Sequence, residues 1–316
     1  MENIYQIDEI EEVNSIFQQP WWLDAVAPGQ WGEVVVKRGD EVAARIPYVI
    51  KKKYGLTALT MPPLTQTLGP WLRPSKAKYA RQISEQKQLM NELIEQLPDV
   101  DYFCQSFSPY ITNWLPFYWA GFGQTTRFTY RLHKLDDLDY VWDGFLANIR
   151  TDIRKAKKAL IVRTDLTVDD FIRINNLTFK RQGMELPYSH NLVKRLDSAC
   201  ETHNARKMFF AEDVQGRIHA AVYLVYDSHT AYYLMGGGDP DLRNSGATSL
   251  LMWEAIQYAS KVSTIFDFEG SMIESVERFV RAFGAIQTPY YQITKMNRRM
   301  RIAYHGKELI KALANR

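Results

Sequence analysis

Two carboxylates alternate with two aromatic rings in Phe266-Asp267-Phe268-Glu269. In an extended strand this spacing sets Asp267 and Glu269 on one face and the rings on the other. Neighbouring carboxylates raise each other's pKa, which suits a general base that takes a proton from an ammonium group. Ion pairing with nearby arginines, Arg278 or Arg281, is the plainer use of the same residues. Upstream, Met235-Gly236-Gly237-Gly238 ends an aromatic strand-like run, and Arg243-Asn-Ser245-Gly246-Ala247-Thr248 opens an apolar stretch of helical length. A helix N-terminus offers unpaired N–H groups and a partial positive charge, which suits a pyrophosphate. Ser245 reads as the N-cap of a helix running to Val262, and Arg243 adds a direct charge. Gly246 and Ala247 leave room for an anion to approach the backbone, and the three glycines let the strand bend from its neighbour. A Ser-Gly helix start also serves as a simple cap, so the order strand, glycine turn, helix, strand carries the functional reading.

Such groups suit proton abstraction from a substrate held through its phosphates. No Gly-x-Ser-x-Gly, His-Glu-x-x-His or cysteine–histidine signature is present, and the six histidines are scattered, so neither a covalent nucleophile nor a metal is expected. Tyrosines in the pairs Tyr232-Tyr233 and Tyr290-Tyr291 are candidates for a hydroxyl acid, Tyr291 foremost. Tyr233, Arg278 and Arg281 are candidates for contact with the substrate. The run Asn148 to Arg163 gathers Arg150, Arg154, Lys155, Lys157, Lys158 and Arg163 against Asp152. At helical spacing 150, 154, 157 and 158 share a face that either binds anions or is simply solvated.

These groups need a scaffold, and the chain supplies it twice. Trp31 to Pro63 is echoed by Lys207 to Gly237, each reading as three strands joined by turns. A helical segment follows each (Ser75 to Leu97, Ser245 to Val262), then a short aromatic strand ("DYFCQSF", "TIFDFEG"). A Phe-Gly pair comes next (Phe122-Gly123, Phe283-Gly284), and a last Tyr-rich strand closes each half. The expected fold is α/β (α+β), with two tandem domains, 1–135 and 136–316, each a mixed, mostly antiparallel sheet flanked by helices. The first copy's loop, "WLRPSKAKYA", has no glycine and places Pro74 near the turn, so that domain is expected to have a degenerate site. Asn297 to Arg316 reads as a basic, helical tail.

With 316 residues, 46% hydrophobic and 24% charged, the chain reads as a soluble globular protein, and its net charge of +3 makes no case for nucleic acid by itself. Cys104 and Cys200 give no disulfide framework. The acidic opening residues lack the long apolar run of a signal or anchor, so a cytoplasmic location without a membrane span is expected. Oligomeric state is not legible.

Arg243-Asn-Ser-Gly246-Ala-Thr248 resembles the arginine/glutamine-x-x-glycine-x-glycine/alanine phosphate loop of GNAT acyltransferases, with Thr248 departing at the last position. The duplicated arrangement is similar to the tandem-GNAT, Fem-like peptidoglycan bridge transferases and their acetyltransferase relatives. "NIRTDIRKAKKALIVR" and "DFEGSMIESVERFVRAFGA" support the likeness. It implies acetyl-CoA or another acyl-CoA as co-substrate, bound between the strands at Met235 and Thr264, with a small-molecule amine as acceptor. It also leaves open an aminoacyl-tRNA donor of the Fem type, or a non-catalytic binding protein. Arginine stands at 278 and 281, where Fem-type proteins tend to have lysine, so a peptidoglycan precursor is not implied.

Overall fold

In a computed structural model of the chain, residues 15–181, 183–270, 272–302 and 304 are described. The acidic opening residues 1–14 and most of the tail lie outside them; within the tail, 298–302 are helical. The chain forms two compact units. Of the described residues, one unit holds 15–19, Ala27–Arg127, 290–302 and 304; the other holds Pro20–Val26 and Phe128–Pro289. A single cut at 135/136 does not describe this division, because helix α1 (Pro20–Val26) and the closing strands change places.

In the first unit β1 (Trp31–Arg38), β2 (Glu41–Lys53) and β3 (Leu56–Thr60) form an antiparallel meander, with β4 (Trp71–Leu72) on β2. Helix α2 (Tyr79–Gln96) crosses over, and β5 (Tyr102–Ser106) returns parallel to β3. Val34, Val36, Ala44 and Ile46, alternate residues of β1 and β2, meet Met90 and Leu93 of α2 in one cluster. Helix α3 (Leu115–Trp119) follows, and then β6 (Gly123–Leu132), whose second half belongs to the second unit.

The second unit continues through α4 (Leu138–Asp143), α5 (Ala147–Ala156), β7 (Leu160–Arg163), α6 (Val168–Arg181) and α7 (His190–Thr202). Then come β8 (Arg206–Asp213), β9 (Ile218–Tyr226), β10 (Thr230–Gly238), α8 (Ala247–Ala259), β11 (Ile265–Asp267) and α9 (Glu274–Arg281). Strand β12 (Ile286–Met296) returns to the first unit, antiparallel to β5. The second unit's sheet runs β7-β8-β9-β10-β11-β6, and only β10–β11 is parallel. Ala220, Val222 and Leu224 of β9 join the cluster containing α8, while Tyr223 between them packs on Phe171 of α6. Helices therefore cover both faces, which explains why β9 reads as a continuous apolar run.

Candidate active site

Strand β11 pairs with β10 only at Thr230–Ile265, Ala231–Phe266 and Tyr232–Asp267, whereas β10 runs on to Gly238. Past Tyr232 that edge of β10 meets side chains of α6 instead. Asn175 Nδ2 donates to Gly236 O at 2.7 Å, and Gly238 N donates to Thr178 Oγ1 at 2.9 Å. The glycines allow this close packing. A Cβ on Gly237 would stand 2.5 Å from Asn175 Cα, and one on Gly236 would stand 2.0 Å from the Tyr233 hydroxyl. The strand's irregularity falls earlier than the glycines, between Tyr233 and Met235.

The loop before α8 differs from its sequence reading. Arg243–Ser245 is a turn of 3-10 helix, Gly246 is left-handed (φ 78°), and α8 starts at Ala247. Ser245 Oγ accepts from Ala247 N at 3.4 Å, so Ser245 caps locally without opening the helix. Gly246 is needed for its handedness and for packing, since a Cβ there would meet Asp152 O of α5 at 2.5 Å. Helix α5 itself ends at Ala156, so the basic face at 150, 154, 157 and 158 is not one helical face. Of the basic run, Lys155 reaches the cleft, where its Nζ donates to Asn244 O at 2.8 Å.

A cavity of about 730 Å³ opens here, lined by Asp152 and Lys155 of α5, Arg181, Tyr233, Arg243, Asn244, Gly246, Thr248 and Ser249, and by Ser275, Val276, Phe279 and Val280 around α9. A second, of about 200 Å³, is lined by Thr178, Arg181, His219, Tyr233, Gly236, Gly237, Gly238, Asp239, Arg243, Ala247 and Thr248. Arg181, Tyr233, Arg243 and Thr248 line both, so the two are lobes of one cleft. Among the described residues, neither Arg181 nor Arg243 has a carboxylate within ion-pair distance. Met235 lies buried in β10 beside the cleft without lining it.

The two carboxylates part company. Asp267 is fully buried as the last residue of β11, with Arg131 Nε donating to it at 2.7 Å, Glu269 N at 2.8 Å, and the Thr129 hydroxyl also donating. Glu269 lies beyond the strand with φ 57°, so the expectation of a shared strand face is corrected. The backbone turns left-handed after Phe268, and the next residue, Gly270, lies so close to β6 that a Cβ would meet Phe128 O at 2.3 Å. Glu269 Oε1 is buried and has no hydrogen-bond partner among the described residues. Burial, and secondarily the charge of Asp267, push the Glu269 pKa well above the usual carboxylate range. The Tyr233 hydroxyl is pushed up to about 12, first by burial and then by the Glu269 charge; Tyr233 lines both lobes of the cleft, and Glu269 lines neither.

The remaining candidates lie elsewhere. Arg278 and Arg281 are on the exposed side of α9, paired with Glu274 at 3.4 Å and Glu277 at 2.8 Å, and neither lines the cleft. Tyr291 belongs to the first unit, where its ring stands 6.5 Å from that of Trp114. Sequence reasoning missed Arg131, Arg181, Asn175 and Thr178. The alternation Arg127, Thr129, Arg131 along β6 carried a legible signal for the first. Nothing local marked the others, which reach the cleft because α6 docks on β10.

Residues 144–270 match the family described as acetyltransferase (GNAT) domain, a span that runs from the residue after α4 to the residue after Glu269. Among solved structures the chain is similar to FemX (TM-score 0.67, 13% identity, covering 88% of this chain and 92% of that one). It also resembles the C-terminal domain of a putative lysylphosphatidylglycerol synthetase from Agrobacterium fabrum (TM-score 0.52, 13% identity, 92% and 95% covered). A third likeness is L-PGS from Bacillus licheniformis (TM-score 0.52, 11% identity, 89% and 88% covered). No curated protein matches the sequence. Residues 144–270 carry a GNAT acetyltransferase domain. At these identities the solved structures speak for the fold alone. Among the described residues no helix is long and apolar enough to cross a membrane.

Proposed function

We propose that the cleft of the second unit takes a phosphate-bearing acyl donor, an acyl-CoA, and passes its acyl group to a small-molecule amine. The observation that carries this reading is the pair Arg181 and Arg243. Two guanidinium groups from separate elements face one cleft without a carboxylate partner, an arrangement that suits a diphosphate. Unpaired N–H groups at the start of α8 add to the same field.

The amine nitrogen attacks the thioester carbonyl carbon. A C–N bond forms, the C–S bond breaks, and the amine proton passes to the Glu269 carboxylate. The thiolate takes the Tyr233 proton, and Glu269 then returns its proton to Tyr233. A carboxyl group whose pKa is raised by burial is the stronger base once ionised, which matches it to the protonated nitrogen formed as the amine attacks. Asp267, held by Arg131, fixes the backbone at Glu269 and takes no proton in this scheme.

A second reading, an aminoacyl-tRNA donor of the Fem type, is favoured by one feature. Asn175 and Thr178 occupy the β10 edge that the amides of an extended pantetheine arm would pair with. Calorimetric titration separates the two. Acetyl-CoA should bind the wild type, and Arg243→Ala or Arg181→Ala should each weaken it roughly 10- to 100-fold. Binding of charged tRNA without acetyl-CoA supports the second reading, and binding of neither overturns the donor site.

A further inference from the structure

The first unit carries a cationic projection that the acyl-transfer chemistry does not use. Strands β2 and β3 are joined by Tyr54 and Gly55, with φ 53° and 72°, the left-handed pair that a tight two-residue hairpin turn requires. Lys51, Lys52 and Lys53 precede the turn and are all exposed. Successive residues of a strand point to opposite faces, so Lys51 and Lys53 load one face of the hairpin and Lys52 the other. Tyr54 stands at the apex with 88% of its surface exposed, and Lys53 Nζ lies 5.1 Å from its ring centre.

The residues that follow β12 settle against this same turn. Arg299 donates to Gly55 O at 3.4 Å and stands 3.6 Å from Asp101, while Asn297 Nδ2 donates to Asp101 at 2.9 Å. Arg298, Arg299 and Arg301 are exposed there, and so is Ile302, at 64%. Against these cations the same end of the sheet offers Asp99 and Asp101, and Asp101 is already taken up by Thr57 N, Asn297 and Arg299.

We propose that this end of the first unit, the Lys51–Tyr54 hairpin tip with Arg298, Arg299 and Arg301, docks on an anionic lipid surface. Six cations around a protruding tyrosine match the chemistry of a headgroup layer: lysine and arginine meet lipid phosphates, and an amphipathic ring seats at the interface. The shape favours lipid over RNA. A strand of nucleic acid is held in a groove lined by stacking platforms, whereas this feature is a convex tip with an exposed aliphatic side chain beside it.

The test is sedimentation of the full chain with vesicles of phosphatidylcholine, alone or mixed with an equal part of phosphatidylglycerol. Binding is expected with the mixed vesicles only, and it should weaken as salt is raised. The triple variant K51Q/K52Q/K53Q should lose about a hundredfold in partitioning. Tyr54→Ser should lose severalfold with little change in salt dependence. Unchanged thermal melting of these exposed-site variants and unchanged acetyl-CoA titration would show that fold and donor cleft are untouched. Equal sedimentation of wild type and triple variant overturns the proposal. So does a wild type that ignores the vesicles yet binds tRNA through these lysines.

Discussion

The protein builds the same strand arrangement twice and leaves only one copy open. In the first unit the parallel pair β3–β5 stops after Ala58–Tyr102 and Leu59–Phe103, just as β10–β11 stops after Tyr232–Asp267 in the second. The first gap is filled by the chain itself. Leu68 N donates to Ser106 O at 2.8 Å, Leu68 bridges Phe107 in parallel, and Gln18 Nε2 holds Gly69 O at 2.9 Å. At the second gap the strand edge is met by the side chains of Asn175 and Thr178. Backbone strapping closes the first gap, because the strap satisfies the edge and buries its own apolar residues; Leu68 and Phe107 are fully buried. Side chains can yield to a ligand. On the proposed reading the same topology carries a donor cleft in one copy only, and what satisfies the free strand edge sets the difference.

The largest expected effect is at Glu269. Glu269→Gln should cost roughly 10²- to 10⁴-fold in turnover, measured under saturating donor. It should also leave thermal stability equal or higher at neutral pH. The sign follows from the raised pKa. The folded state holds this proton more tightly than the unfolded chain does, so the contribution is fully favourable below the unfolded pKa and is lost as pH rises through the folded one. The variant's melting temperature should lack that decline, and its rate should lose the wild type's rise with pH. A variant with full activity would return the open cleft to the same standing as the closed one.

Asp267→Asn should behave in the opposite way. Breaking a buried pair with Arg131 costs about 3–5 kcal/mol, visible in denaturant melts whether or not donor is present. In the first unit Gly69→Ala should cost roughly 1–3 kcal/mol, because φ is 77° and a Cβ would press on the Phe107 ring at 2.4 Å. That variant should alter melting without altering acetyl-CoA affinity, and a change in affinity would show that the strapped gap takes part in donor binding. The smallest effect is expected for Thr178→Val. Loss of its hydroxyl frees Gly238 N and should change donor affinity only severalfold.

Much of this contrast was legible in the sequence. The repeated order of strands, helix and Phe-Gly turn showed the two matching crossovers, and "WLRPSKAKYA" marked the first loop as altered. Arg243, Gly246, Thr248 and Glu269 were picked out from types and spacing. The misses share a cause. Pairing Asp267 with Glu269 assumed that the strand continued, but the chain turns left-handed at Glu269 to pass beside β6. The reading of Gly246 named only the approach of an anion, and α5 needs the same absence of a side chain. Arg181 and the Leu68 strap depend on contacts between segments far apart in the chain, and no local periodicity records those.

Hydrogen exchange read by mass spectrometry, with and without acetyl-CoA, sets the two gaps side by side in one experiment. Slowed exchange should appear in peptides spanning Tyr233 to Leu250, with none in peptides spanning Leu56 to Leu72 or Tyr102 to Ser108. Protection in the first unit's peptides, or in neither set, contradicts the assignment of the donor to the second cleft.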